Sequence, residues 1–234
     1  MPKQSPCRDS EIASSQTPLL AMTWHIMATL TQTLQKNTWL IYAALFLALA
    51  VLVIFSPAEA TLGNVVKIVY VHGATERVAA YAYLIAAALG IAYLVTKRNA
   101  LVAWTRAFAE TAILFWLLHF LISIPAQVMA WGGITLNEPR VASALWILVM
   151  TILVYIVARW IAEPIWMAFA AIANAVIFLI ILKGAVNILH PGSAIFSSDS
   201  DVMKIFYVGI VMVCGAIAIQ VTRDLTARYA AHEE

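Results

Sequence analysis

The sequence predicts an all-α integral membrane bundle of six transmembrane helices, with both termini cytoplasmic. Composition comes first: 63% of the 234 residues are hydrophobic and 11% are charged, whereas a soluble domain carries about 25% charge. Patterning comes second. Six stretches are free or nearly free of charge: Thr38–Phe55, Val78–Val95, Ala107–Ile124, Val141–Ala158, Ile165–Leu182 and Ile205–Val221. At about 1.5 Å rise per residue each spans roughly the hydrocarbon thickness of a bilayer, where unpaired backbone groups are forbidden and only a helix satisfies a lone segment. The third observation is the distribution of Lys and Arg, which orients the bundle.

Residues 1–37 are mostly polar, with Pro2, Pro6 and Pro18 and no long apolar run. They lack the apolar core of a secretory signal and read as a flexible cytoplasmic tail, ending in a short interfacial helix around Trp24–Leu34. Residues 38–222 form the transmembrane domain, and 223–234 a second cytoplasmic tail. With the N-terminus inside, that side receives Lys3, Arg8, Lys36, Lys97, Arg98, Arg106, Arg159, Arg223 and Arg228, and the outer side receives Lys67, Arg77, Arg140, Lys183 and Lys204. The excess of cations inside sets this orientation. The inner connections are short. The outer ones, Ser56–Arg77, Pro125–Arg140 and Lys183–Lys204, are longer and richer in unusual residues, and loops of that kind carry function.

Several classes are excluded. No P-loop, HExxH or GxGxxG is present, and no inverted repeat of the transporter kind. There is no basic cluster for nucleic acid. Cys7 and Cys214 lie far apart in a tail and a helix, which predicts no disulfide, and the absence of C-x-x-C-H excludes covalently attached c-type haem. No nucleophile or acid–base pair is visible, so the chain is not read as an enzyme.

The histidines divide by position. His25 and His232 fall in the tails and read as solvated. His119 lies inside the third span, where an imidazole needs a partner; a structural hydrogen bond and a ligand role both stand. His72, in "KIVYVHGATER", precedes the second span, and His190, in "NILHPG", follows the fifth. Two neutral imidazoles at one depth could take haem iron from its two faces, or could simply meet headgroups and water. Lys67, Arg77 and Arg140 are candidate partners for the propionates. Glu110 is an acid well inside a span. It is a proton-carrying candidate by default, and equally an ion-pair partner for Arg106 one turn earlier. Asn174 and Gln220 read as interhelical hydrogen-bonding residues.

Three outer segments occur in a definite order: Lys67-Ile68-x-Tyr70-x-His72, then Trp131-Gly132 leading to Pro139-Arg140, then Leu189-His190-Pro191-Gly192. In this order, and with "AFAETAILF" around Glu110, the chain resembles the cytochrome c assembly family of haem-handling membrane proteins, most of all its six-helix haem-exporter members. The likeness runs from about Val65 to Gly192. It implies a non-covalent b-type haem held at the outer face of the cytoplasmic (inner) membrane, with His72 and His190 as axial ligands. It also implies a tryptophan-rich loop over the haem edge, here Trp131, Gly132, Glu138 and Arg140. Partners implied are haem itself, a periplasmic haem chaperone and ATP-binding-cassette subunits, within the surrounding membrane lipid.

The loop departs from the family's pattern. Ile134, Thr135 and Asn137 stand where that pattern has tryptophans, and Glu138 where it has aspartate. Indoles supply broad flat contact area, and most of it is gone here. Two functions therefore stay open: haem delivery in c-type cytochrome maturation, or a diverged structural or electron-carrying subunit of a larger complex without hand-off. A transporter using Glu110 and His119 as its polar pathway is a third.

Overall fold

A computed structural model of the chain describes residues 37–188 and 195–230. Among the described residues six helices run in order: α1 Thr38–Phe55, α2 Val66–Thr96, α3 Ala100–Trp131, α4 Pro139–Ile161, α5 Pro164–Gly184 and α6 Asp201–Ala230. Each is long and apolar enough to cross a membrane. Among the described residues no β-strand forms, only an isolated bridge between Glu59 and Gly63. The expected interfacial helix near residues 24–34, His25, Cys7 and His232 lie outside the described residues.

The chain divides into two units, Met1–Phe46 and Leu47–Glu234. The described part of the first is the opening of α1, where Leu40 N–H bonds Asn37 O at 2.9 Å and Trp39 is exposed. In the second, α2 packs against α3, α5 and α6; α3 also meets α4, α5 and α6; and α4 lies on α5. The sequence says why they come so close. Gly90 of α2 faces Ala168 of α5, and a Cβ at Gly90 would stand 2.9 Å from the Ala168 carbonyl oxygen. Nearby, Ala86, Ala109 and Ala171 form a buried cluster. Small residues at such crossings let helix backbones approach in a solvent that offers no hydrophobic drive between helices.

Some polar residues within the spans find partners across helices. Tyr83 OH bonds Thr151 Oγ1 at 3.0 Å, joining α2 to α4. Asn174 Nδ2 donates to Thr151 O at 3.2 Å, joining α5 to α4 as expected. Gln220 differs from expectation: its Nε2 donates to Asp224 Oδ1 at 2.9 Å, within α6. An acceptor one turn away on the same helix competes at lower entropic cost than one on a neighbour.

The helices are longer than the charge-free windows. α2 has 31 residues and α3 has 32, about 46 and 48 Å against a hydrocarbon core of about 30 Å. Segments expected as outer connections are therefore helical. His72, Glu76 and Arg77 belong to the first turns of α2, and α3 carries Pro125 and ends at Trp131. Charge marks where lipid ends, not where a helix ends. The connection after α3 shrinks to residues 132–138. Gly132 stops α3 in the left-handed conformation (φ 76°), and Glu138 with Pro139 starts α4 as N-cap and first helical residue.

Candidate functional site

At the end bearing residues 132–138, residues of α2, α3, α4, α5 and α6 line a cavity of about 320 Å³, within the range of ligand pockets of roughly 300–1,000 Å³. Five of the residues singled out in the sequence line it: His72, Arg77, His119, Trp131 and Arg140. Four others do not. Glu110 lies near the opposite end of α3. Lys67 Nζ donates to Ile54 O at 2.7 Å at the end of α1. Gly132 is the α3 terminator. Glu138 is 1% exposed, and its Oε2 accepts the Val141 N–H at 2.9 Å. His190, with Pro191 and Gly192, lies outside the described residues.

His72 and His119 form a reciprocal pair. Their rings stack with centroids 4.1 Å apart and planes 19° from parallel. His72 Nδ1 lies 3.2 Å from the His119 carbonyl, and His119 Nδ1 lies 3.1 Å from the His72 carbonyl. A carbonyl oxygen can only accept, so each Nδ1 carries the proton. In a neutral imidazole the other nitrogen, Nε2, then holds a lone pair, which is the form a metal ligand requires. Trp116 lies 4.8 Å from His119, centroid to centroid, and its Nε1–H is anchored to Ala144 O at 2.9 Å.

The two arginines are held differently. Arg77 Nε donates to Tyr207 OH at 2.8 Å, and its guanidinium lies over the rings of Phe196 and Tyr207, 5.1 and 5.6 Å from their centroids. Gly73 permits this approach, since a Cβ there would meet Tyr207 OH at 3.0 Å. Arg140 Nη1 reaches Glu76 Oε1 at 3.4 Å. Its Nε is buried and has no acceptor among the described residues. The neighbouring loop is braced by Gln127, whose Oε1 accepts Thr135 N–H at 3.0 Å and whose Nε2 donates to Ser123 O at 3.2 Å.

Trp116, Glu76 and Tyr207 were not foreseen. Trp116 precedes His119 by three positions and Glu76 follows His72 by four, so each shares a helical face with a histidine and was legible in principle. Tyr207 is 130 positions from Arg77, and no local signal joins them.

At the other end of the helices Glu110 is fully engaged. Oε1 accepts from Arg106 Nε at 3.2 Å and from Tyr155 OH, and Oε2 accepts from Tyr229 OH. The Arg106 guanidinium lies 3.6 Å from the Tyr229 ring centroid. One carboxylate thus ties α3, α4 and α6, and it does not face the cavity. Among the described residues no group of three or more His, Cys, Asp or Glu side chains is arranged to hold a metal ion, and Cys214 is a buried free thiol. No protein-family model matches the chain, and no curated protein matches it.

Proposed function

We propose that the chain is a haem-binding membrane protein of the cytochrome c assembly kind, acting in haem delivery for c-type cytochrome maturation. The observation that carries this reading is the His72 ring at the cavity wall, with Nδ1–H given to the His119 carbonyl, so that Nε2 is the nitrogen bearing the lone pair. The residues around it fit the group. Trp116 and Trp131 offer flat apolar surface, Arg77 and Arg140 offer cations, and the buried Nε of Arg140 calls for an acceptor. In this reading His72 and His190 bind the iron of a b-type haem, which is cargo rather than a catalytic cofactor. The cavity faces outward from the cytoplasmic membrane, and a periplasmic chaperone with ATP-binding-cassette subunits serves as partner. When bound, the group would supply an iron for His72 and His190 to hold, and the chain's own residues would orient the porphyrin and exclude water.

The absorption spectrum of the purified protein tests this. Wild type should show a Soret band that His72→Ala and His190→Ala each diminish or shift. Absence of haem in wild type, or the same band in both variants, would sink it.

A second reading has one observation in its favour. Ile134 is 55% exposed in the loop where the family pattern has an indole, so the surface expected to present haem to a chaperone is small. A structural or electron-carrying subunit with haem retained fits that loop. Co-purification separates the two: a haem chaperone and ATP-binding-cassette subunits support delivery, and respiratory subunits support the alternative.

A further inference from the structure

Arginine presents its N–H groups as a rigid fork that matches both oxygens of a carboxylate. Arg140 does not have that match with Glu76. The contact is a single pairing of Nη1 with Oε1 at 3.4 Å, at the long end of hydrogen-bond distances. The Arg140 Nε is buried without an acceptor among the described residues. Arg77, the neighbouring cation, has its Nε committed to Tyr207 and its face to two aromatic rings. Glu76 and Arg140 come from different helices, and both line the cavity. Glu76 lies one helical turn after His72, on the same face of α2.

With Arg140 as the carboxylate partner that the proposed function already gives it, we propose that Glu76 is an internal competitor for the Arg140 fork. A carboxylate on the bound molecule displaces the Glu76 oxygen and takes the Arg140 fork, Nε included. Glu76 thereby sets specificity: a ligand must carry an acid group good enough to outcompete a tethered one, and a neutral analogue gains nothing from Arg140. The ligand class is a flat, largely apolar molecule with a pendant carboxylate. This rests on the reading of the cavity as a porphyrin site, and the test is built so that the two can fail separately.

The test uses metal-free protoporphyrin IX and its dimethyl ester, which share the ring and lack iron. Binding to the full chain in detergent is followed by quenching of tryptophan fluorescence. Wild type should bind the diacid more tightly than the ester. Glu76→Gln should tighten the diacid several-fold and leave the ester unchanged, because the competitor's charge is gone. Arg140→Gln should weaken the diacid on the order of tenfold and abolish the acid–ester difference. Glu76→Asp, which keeps the charge on a shorter arm, should fall between wild type and Glu76→Gln, and it reports even where the glutamine variant does not fold.

Equal binding of diacid and ester by wild type, no binding of either, or a weaker diacid in Glu76→Gln would overturn the proposal. Persistence of the acid–ester difference in Arg140→Gln would do the same. Because no iron is present, these outcomes do not depend on histidine ligation. Acid discrimination with no histidine-dependent Soret band refutes haem ligation and keeps the subsite. A histidine-dependent Soret band without acid discrimination does the reverse.

Discussion

Glu110 was open to two readings in the sequence, a proton carrier or a partner for Arg106. The structure places Arg106, Tyr155 and Tyr229 on its two oxygens. Three donors on one half-buried carboxylate are a clamp, and hydrogen bonds to a charged group are each worth about 1.5–3 kcal/mol. Glu110→Gln should therefore lower the stability of the detergent-solubilised protein by roughly 2 kcal/mol, seen as a lower melting temperature, and leave the porphyrin binding proposed for the far cavity unchanged. Loss of substrate flux with unaltered stability would instead revive the transporter reading. Glu59 gives the pH dependence. Its carboxylate accepts Leu62 N–H at 2.7 Å and Thr61 N–H at 2.8 Å, and these bonds, Leu62's first, hold its pKa below the ordinary value of 4.5. A depressed acid adds stability above its unfolded pKa and loses it as pH falls through the folded one. Amide exchange at Thr61 and Leu62 should be slow, relative to intrinsic rates, above pH 4.5 and lose that protection as pH drops below it. Exchange protection that does not change across that window would remove the turn's dependence on Glu59.

At the scale of elements, the six helices were legible because lipid leaves a spanning segment no other way to satisfy its backbone. Their ends were less so. Lys67, Glu76 and Arg77 interrupted the apolar run that marked the second span, yet a charge at a membrane surface is compatible with helix, and α2 begins at Val66. The signals that do end helices were present as residues: Gly132 after α3, and Glu138-Pro139 before α4. Both serve backbone geometry; the family resemblance also implies a haem-edge role for Gly132 and Glu138. The packing of α2 on α5 leads to a comparison between two glycines. Gly→Ala in a helix gains about 1 kcal/mol in propensity, and Gly215, where an added methyl carbon would meet nothing within 4 Å, should show that gain or none. At Gly90 the added carbon would meet backbone oxygen at 2.9 Å, which cannot rotate aside, and overpacking of this kind costs about 1–3 kcal/mol. Gly90→Ala should therefore be net destabilising and Gly215→Ala neutral or stabilising in parallel thermal unfolding. Equal melting temperatures for the two would show that α2 and α5 can slide apart freely.

At the scale of the whole molecule, sequence order alone put His72, Trp131 and Arg140 on one side of the membrane, and the cavity joins them. What order could not show was which partners meet there. Arg77 finds Tyr207 from α6, and His72 finds His119, because those contacts depend on how helices rotate against one another. The same structure sharpens the argument for orientation. Of the five cations on the cavity side, Arg140 and Lys204 are ion-paired with carboxylates, and a cation already neutralised has less influence on insertion. At the other end Lys97 and Arg98 sit together at the short turn between α2 and α3, with Arg98 exposed. Cations flanking spans favour the cytoplasm, so the turn at residue 99 should be inside and the loop at residue 133 outside. Two positions suit a labelling test. Asn99 makes no side-chain capping bond, and Gly133 has open space around it, so Asn99→Cys and Gly133→Cys should both fold in a background of Cys7→Ser and Cys214→Ala. A membrane-impermeant maleimide applied to intact, outer-membrane-permeabilised cells should label Gly133→Cys only, and both positions once the inner membrane is breached. Labelling of Asn99→Cys in the intact state would turn the cavity toward the cytoplasm, and a periplasmic acceptor for its ligand would have to be abandoned.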